Sequence, residues 1–189
     1  FKPSANNNSK LKPSIETILH ALMKQKYVLH LHAVDVISDI IKENCNDVLN
    51  SKIPKKFYWK LIDYHTPGPD LAKSINNTLI ENPETNILFL KNHGLVIADN
   101  TIDGLTDILK KISEIFFKEP LHFNKILLEK NKDINKNGTI YKIIDDHDIQ
   151  LLSKNNNLLK KIEKIWAICP DHVVFLGDKA VIYDHIESF

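Results

Sequence analysis

Arginine is absent from this chain of 189 residues, whose 25 cationic side chains are all lysine. A planar fork that grips phosphate or carboxylate through two parallel hydrogen bonds is therefore excluded. Any phosphate has to be held by backbone N–H groups, hydroxyls or lysine. Cysteine is scarce: Cys45 and Cys169 stand far apart, too few for a disulfide framework, and read as small buried hydrophobes of a reducing, cytoplasmic setting. No apolar run approaches the length of a membrane-spanning helix, and the first residues are polar rather than signal-like, so no membrane partner is expected. Excess charge is missing too. A net charge of +1 gives no reason to expect nucleic acid as a partner. The chain starts on Phe1 rather than Met and stops abruptly at Phe189, which leads us to expect a longer protein with a segment before Phe1. The length and a hydrophobic content of 43% suit one domain over residues 1–189.

Residues 1–12 are polar and Asn-rich and are expected to be mobile. Apolar residues at Ile18, Leu19, Leu22 and Met23 predict a short helix over 17–26, with Ser14 as its N-cap. The run from Tyr27 to His32 predicts a strand, and residues 34–43 a second helix. Residues 57–64 alternate loosely and predict another strand. Thr66-Pro67-Gly68-Pro69-Asp70 is a turn signal, followed by a helix over 71–81. Residues 87–91 and 95–98 predict a hairpin across Asn92-His93-Gly94, with Gly94 at a position needing positive φ. A long amphipathic helix follows over 102–117. Residues 129–137 read as a solvated loop, and residues 151–165 as a helix interrupted at 155–157. A final hairpin pairs 173–176 with 180–183, within a C-terminal extension over 166–189.

The chemistry concentrates in a few side chains. Alternation along a strand puts His30 and His32 on one face, as neighbours on rigid backbone. Two imidazoles so placed make an incomplete metal site. A catalytic zinc keeps three protein ligands, with Zn–N distances of about 2.0–2.1 Å, and one open position. His93, in a tight turn between two apolar strands, is the best third ligand. Glu16 lies at the start of the first helix, where N–H donors collect and favour an anion. Ser14 and the amides around Ile15 and Glu16 are candidates to hold a phosphate while Glu16 faces the metal. His20, His65, His122, His147, His172 and His185 read as surface or satisfied histidines, and Asp63 and Tyr64 as packing and turn residues.

Four strings then resemble, in order and spacing, the class II aldolase/adducin head family: Pro13-Ser14-Ile15-Glu16-Thr17, the strand ending His30-Leu31-His32, Tyr64…Pro67-Gly68…Asp70-Leu71-Ala72, and Asn92-His93-Gly94-Leu95-Val96. The family includes fuculose- and rhamnulose-phosphate aldolases and ribulose-phosphate 4-epimerase. The tail from Cys169 to Gly177 is similar to a C-terminal extension of some aldolase-like members. The resemblance implies an α/β fold, a three-layer α/β/α sandwich with a mainly antiparallel central sheet. It implies Zn2+, or another divalent transition metal, on His30, His32 and His93, a catalytic carboxylate at Glu16, and Ser14 in a substrate or phosphate pocket. It also implies a homo-oligomer, in many members a tetramer, with a tyrosine contributed by the neighbouring subunit.

The function expected from these residues is a zinc-dependent lyase of carbohydrate metabolism. It would reversibly cleave a small hydroxylated carbonyl compound, such as a sugar phosphate, through a metal-stabilised enediolate. An epimerase or dehydratase would use the same centre. A non-catalytic interaction domain like the adducin head is the competing class.

Overall fold

The central sheet is built from four short strands whose order is set by two different kinds of connection. The computed structural model describes residues 13–119, 133–142 and 146–182. The chain divides into two compact units, Phe1–Lys118 and Glu119–Phe189, where the sequence suggests one domain.

The first unit runs α1 (Thr17–Leu22), β1 (Tyr27–Leu31), α2 (Val34–Ile40), α3 (Cys45–Lys52), β2 (Trp59–Ile62), α4 (Pro69–Glu81), β3 (Ile87–Leu90), β4 (Gly94–Asp99) and α5 (Ile102–Phe116). The strand order is β1-β4-β3-β2. β4 pairs antiparallel with both β1 and β3, but β2 is parallel to β3, so the sheet is mixed rather than mainly antiparallel. The reason is the connection. β3 and β4 are joined by a tight turn, whereas β2 reaches β3 through α4, and a helical crossover returns the chain in the same direction.

β3 is buried along its whole length and β4 up to Ala98, as expected for strands covered on both faces. Alternation sorts their side chains. Ile87, Phe89, Leu95 and Ile97 join Val36 and Ile40 of α2, Leu49 of α3, and Ile108, Ile112 and Phe116 of α5. Leu88, Leu90, Val96 and Ala98 join Leu19 of α1 and Leu71, Ile75 and Leu79 of α4. α4 starts where Pro occupies the first turn, and α5 is capped by the Thr101 hydroxyl, which accepts the Gly104 N–H at 3.0 Å.

Among the described residues of this unit, one carboxylate is buried. Asp39 of α2 is 1% exposed. Its carboxylate accepts from Lys42 at 2.6 Å, Lys52 at 2.7 Å and Lys118 at 2.8 Å. α2, the last turn of α3 and the second residue beyond α5 are thereby held to one point.

The second unit contains a hairpin, β5 (Ile134–Lys136) and β6 (Thr139–Tyr141), then α6 (His147–Lys154), α7 (Asn156–Lys164) and α8 (Pro170–Leu176). The hairpin replaces part of the loop expected over 129–137. Asn137 and Gly138 both have positive φ, 51° and 82°, as its two-residue turn requires. Asn155, read as an interruption, caps α7 by accepting from the N–H groups of Asn157 and Leu158. The expected C-terminal hairpin is corrected: residues 173–176 belong to α8, which begins with Pro170 and ends before Gly177 at φ 89°. Residues 180–182 are not a strand, and Tyr183 lies outside the described residues, as do residues 1–12, His122 and His185. His172 stacks on Trp166 with an interplanar angle of 26° and donates from Nδ1 to its carbonyl at 2.9 Å. Among the described residues no helix is long and apolar enough to cross a membrane.

Candidate metal centre

β1 leaves His30 near its end and His32 just beyond it, and the β3–β4 turn brings His93 to the same edge of the sheet. Two backbone details make the turn possible. Asn92, not Gly94, takes the left-handed conformation, at φ 56°. Gly94 is needed for a different reason from the one expected. A Cβ there would stand 2.4 Å from the carbonyl oxygen of Leu31 and 3.2 Å from the His32 ring, so only glycine lets β4 approach the end of β1 this closely.

The three imidazoles meet through their Nε2 atoms. His30 Nε2 is 3.2 Å from His32 Nε2 and 3.3 Å from His93 Nε2. The three ring centroids are mutually 5.0 Å apart, with the rings steeply inclined. Glu16, at the N-cap of α1, closes the group. Its Oε1 lies 2.9 Å from His93 Nε2, 3.4 Å from His30 Nε2 and 3.6 Å from His32 Nε2. One ligand atom from each of the four residues falls within 4.8 Å of every other. The structure thus brings His30, His32, His93 and Glu16 together.

This donor set fits a divalent transition metal. Ligands about 2.0–2.1 Å from a tetrahedral ion are separated by about 3.3 Å, close to the Nε2 separations seen here. The tautomer of His30 agrees. His30 Nδ1 lies 3.0 Å from the Leu95 carbonyl, which can only accept, so Nδ1 carries the proton and Nε2 presents its lone pair to the cluster. His93 Nδ1 is buried with no partner among the described residues, so that ring's orientation rests on its Nε2 contacts.

Burial and charge set the protonation states. Desolvation pushes His30 and His93 below the ordinary imidazole value, against the upward pull of Glu16. For Glu16, burial alone would raise the value. The hydrogen bond from His93 and the charges of the three imidazoles outweigh it and hold the carboxyl below its usual range. Neutral imidazoles and an ionised carboxylate are the forms that ligate. The side chains of His30 and His93 are 6% and 2% exposed, but those of His32 and Glu16 are 23% and 27% exposed, so the cluster opens to solvent on the His32/Glu16 side.

Ser14 is exposed, and its hydroxyl accepts the Glu16 N–H at 3.2 Å, so one of the amides considered for phosphate is already bonded. α1 begins at Thr17 with Glu16, not Ser14, as its N-cap residue. His20, read as a surface residue, is exposed, yet its ring centroid lies 6.4 Å from that of His30 in an edge-on arrangement. Its place four residues after Glu16 on α1 was the available signal. His65 and Tyr64 line a separate cavity.

Comparison with known proteins places this geometry in context. The chain is 27% identical over 189 residues to a Bacillus subtilis (strain 168) protein described as the uncharacterized oxidoreductase YuxG, with 86% of this chain aligned. The match spans only 27% of that relative's length. A solved structure, the N-terminal class II aldolase domain of a conserved protein from Thermoplasma acidophilum, shares 27% identity and a TM-score of 0.49 over 55% of this chain and 46% of its own. The family described as the Class II Aldolase and Adducin N-terminal domain matches residues 2–115, a span that contains all four clustered side chains. With that match covering more than half of its length, the chain belongs to the class II aldolase/adducin family.

Proposed function

We propose that this protein is a zinc-dependent lyase that reversibly cleaves a small hydroxylated carbonyl compound, such as a sugar phosphate, by aldol chemistry. The family supports a metal-dependent lyase- or epimerase-like role. The observation that carries the reading is the meeting of three Nε2 atoms with the Glu16 carboxylate at the mouth of the cluster. His30, His32 and His93 would hold the ion. When bound, it supplies Lewis acidity to a carbonyl oxygen as negative charge develops there.

The rest of the reaction falls to the chain's own groups. Glu16 reaches the open side of the cluster and is held ionised, so it is fit to take a proton from the carbon next to the carbonyl and return it. The Leu95 carbonyl keeps His30 in one tautomer and one orientation. Ser14, beside Glu16, is proposed as a contact to the substrate's phosphate, and without arginine such a contact relies on hydroxyls and lysine. We place this activity on a three-layer α/β/α scaffold, in a cytoplasmic homo-oligomer.

Metal analysis combined with product analysis tests the proposal. Purified protein incubated with ketose phosphates is expected to contain about one zinc per chain and to release an aldehyde that a trapping reagent captures. A metal-loaded protein that converts a ketose phosphate only into its epimer assigns the same centre to epimerisation. Protein that binds no transition metal overturns the reading in favour of an interaction module.

A further inference from the structure

An open cavity of about 530 Å³ lies on the outward face of α4, and none of the four clustered side chains lines it. Its walls are Tyr64, His65 and Thr66 from the segment after β2, and Asp70, Lys73, Ser74 and Asn77 along α4. These α4 positions recur at helical spacing on the side opposite Leu71, Ala72, Ile75 and Leu79, which are buried. The volume is within the range of small-molecule sites. The lining offers two aliphatic hydroxyls, a phenol, an amide, an imidazole, a carboxylate and an ammonium group.

Topology puts this cavity at the same sheet edge as the histidines. β2 is parallel to β3, and β1 and β3 are both antiparallel to β4, so β1, β2 and β3 all end on that edge. The Lys91 N–H donates to the Ile62 carbonyl at 3.0 Å, tying the end of β2 to the turn that carries His93. The segment leaving β2 then passes against Ile15, just before α1. A Cβ on Gly68 would stand 3.2 Å from Ile15 Cδ1, and Ile15 adjoins Glu16. A single chain segment therefore links the cavity wall to the residue beside the candidate base.

We propose that this cavity receives an uncharged, polyhydroxylated segment of the substrate, an inference that rests on the lyase reading for its chemistry but not for its test. The lining argues for hydroxyls over phosphate. Lys73 is the one ammonium group in the lining and Asp70 opposes it, so a dianion meets no cluster of fixed positive charge here, and no arginine to supply one. The carboxylate accepts, the ammonium group donates, and the amide and hydroxyls do both, which is what a row of sugar hydroxyls requires. The Tyr64 ring adds a flat apolar surface for C–H groups.

The test is titration of the full chain with ribitol, a neutral five-carbon polyol, followed by amide chemical shifts. Saturable shifts are expected in the segments 64–66 and 70–77, and Asp70→Ala and Asn77→Ala should each weaken binding about tenfold. Both side chains are exposed, so the variants should fold as the parent does; Ser74→Ala gives a third, milder reading. Absence of saturable shifts, shifts unaffected by both variants, or the same shifts produced by inorganic phosphate would each overturn the proposal. The two readings fail separately. Polyol binding without aldol cleavage removes the lyase assignment and leaves the cavity, whereas aldol cleavage without polyol binding removes the cavity and leaves the lyase.

Discussion

The imidazole of His30 donates from Nδ1 to the carbonyl of Leu95, 3.0 Å away across the β1–β4 pair. This bond fixes which nitrogen of His30 is available, and it makes the sheet itself the support of the candidate metal centre. Hydrogen bonds to the far side of a ligating imidazole set its orientation and basicity. Four consequences can be measured.

His93→Ala and Glu16→Gln should separate binding from turnover. Loss of the His93 ring removes one of three nitrogens, so the purified variant is expected to carry less than about a tenth of the parent's zinc. The ring is buried but belongs to neither apolar cluster and its Nδ1 has no partner among the described residues, so melting of the metal-free protein should fall by less than about 4 °C. Glu16→Gln keeps the three imidazoles and should retain zinc, while kcat drops by about 10²–10⁴. Unchanged zinc in the first variant, or parental turnover in the second, would contradict the assignment.

The pH dependence has a defined sign. His30 and His93 titrate lower in the folded protein than in the unfolded chain, because burial disfavours their charged forms. The unfolded chain therefore takes up protons first as pH falls, and stability is lost from about pH 6.5 downward. Melting temperature of the metal-free protein should be flat above that value and decline below it, with bound zinc released over the same range. A flat profile from about pH 8 to about pH 5 would show that these rings do not titrate as the structure indicates.

Gly94→Ala probes the approach of β4 to β1. The added methyl would meet the Leu31 carbonyl at 2.4 Å, a backbone atom that cannot swing aside. A cost of about 1–3 kcal/mol is expected, together with weaker zinc binding because His32 lies beside the same point. Denaturant unfolding and metal titration read the two effects. A variant as stable as the parent would place the strand ends farther apart than described.

Asp39→Asn tests the buried carboxylate. Three ammonium groups converge on it and hold its carboxyl well below the usual range. The charged form stabilises the fold above the ordinary carboxylate value, and that contribution is lost as pH falls toward the depressed folded value. Removing the charge leaves three lysines facing one another, but their side chains are 34–48% exposed. A loss of about 2–3 kcal/mol is expected, at or below the range for a fully buried pair. The urea midpoint measures it, and an unchanged midpoint would reduce the cluster to a surface feature.

Much of the site could be read from strand alternation. His30 and His32 share a face because they are two residues apart, and the turn carrying His93 was marked by the apolar runs on either side. The reason for Gly94 was not legible, since nothing local reveals that a carbonyl from residue 31 lies against it. α3 escaped detection because Cys45 and Leu49 are its only buried residues in a polar stretch. The β5–β6 turn was written plainly in Asn137-Gly138 but was masked by the surrounding lysines and asparagines. Val173-Val174-Phe175-Leu176 suits a strand as well as a helix by composition. Pro170 at the helix start and Gly177 past its end decide the matter. Asp39 and Lys118 are 79 residues apart, and their contact depends on how α2 and α5 pack.

The register of β1 against β4, His30 opposite Val96 and Leu31 opposite Leu95, has a further consequence. Sliding β1 by a single residue would turn both of its imidazoles to the other side of the sheet and strand His93 without companions. Assembly of the candidate metal centre thus depends on correct strand alignment, so a chain paired out of register would be unable to gather the three imidazoles about one ion.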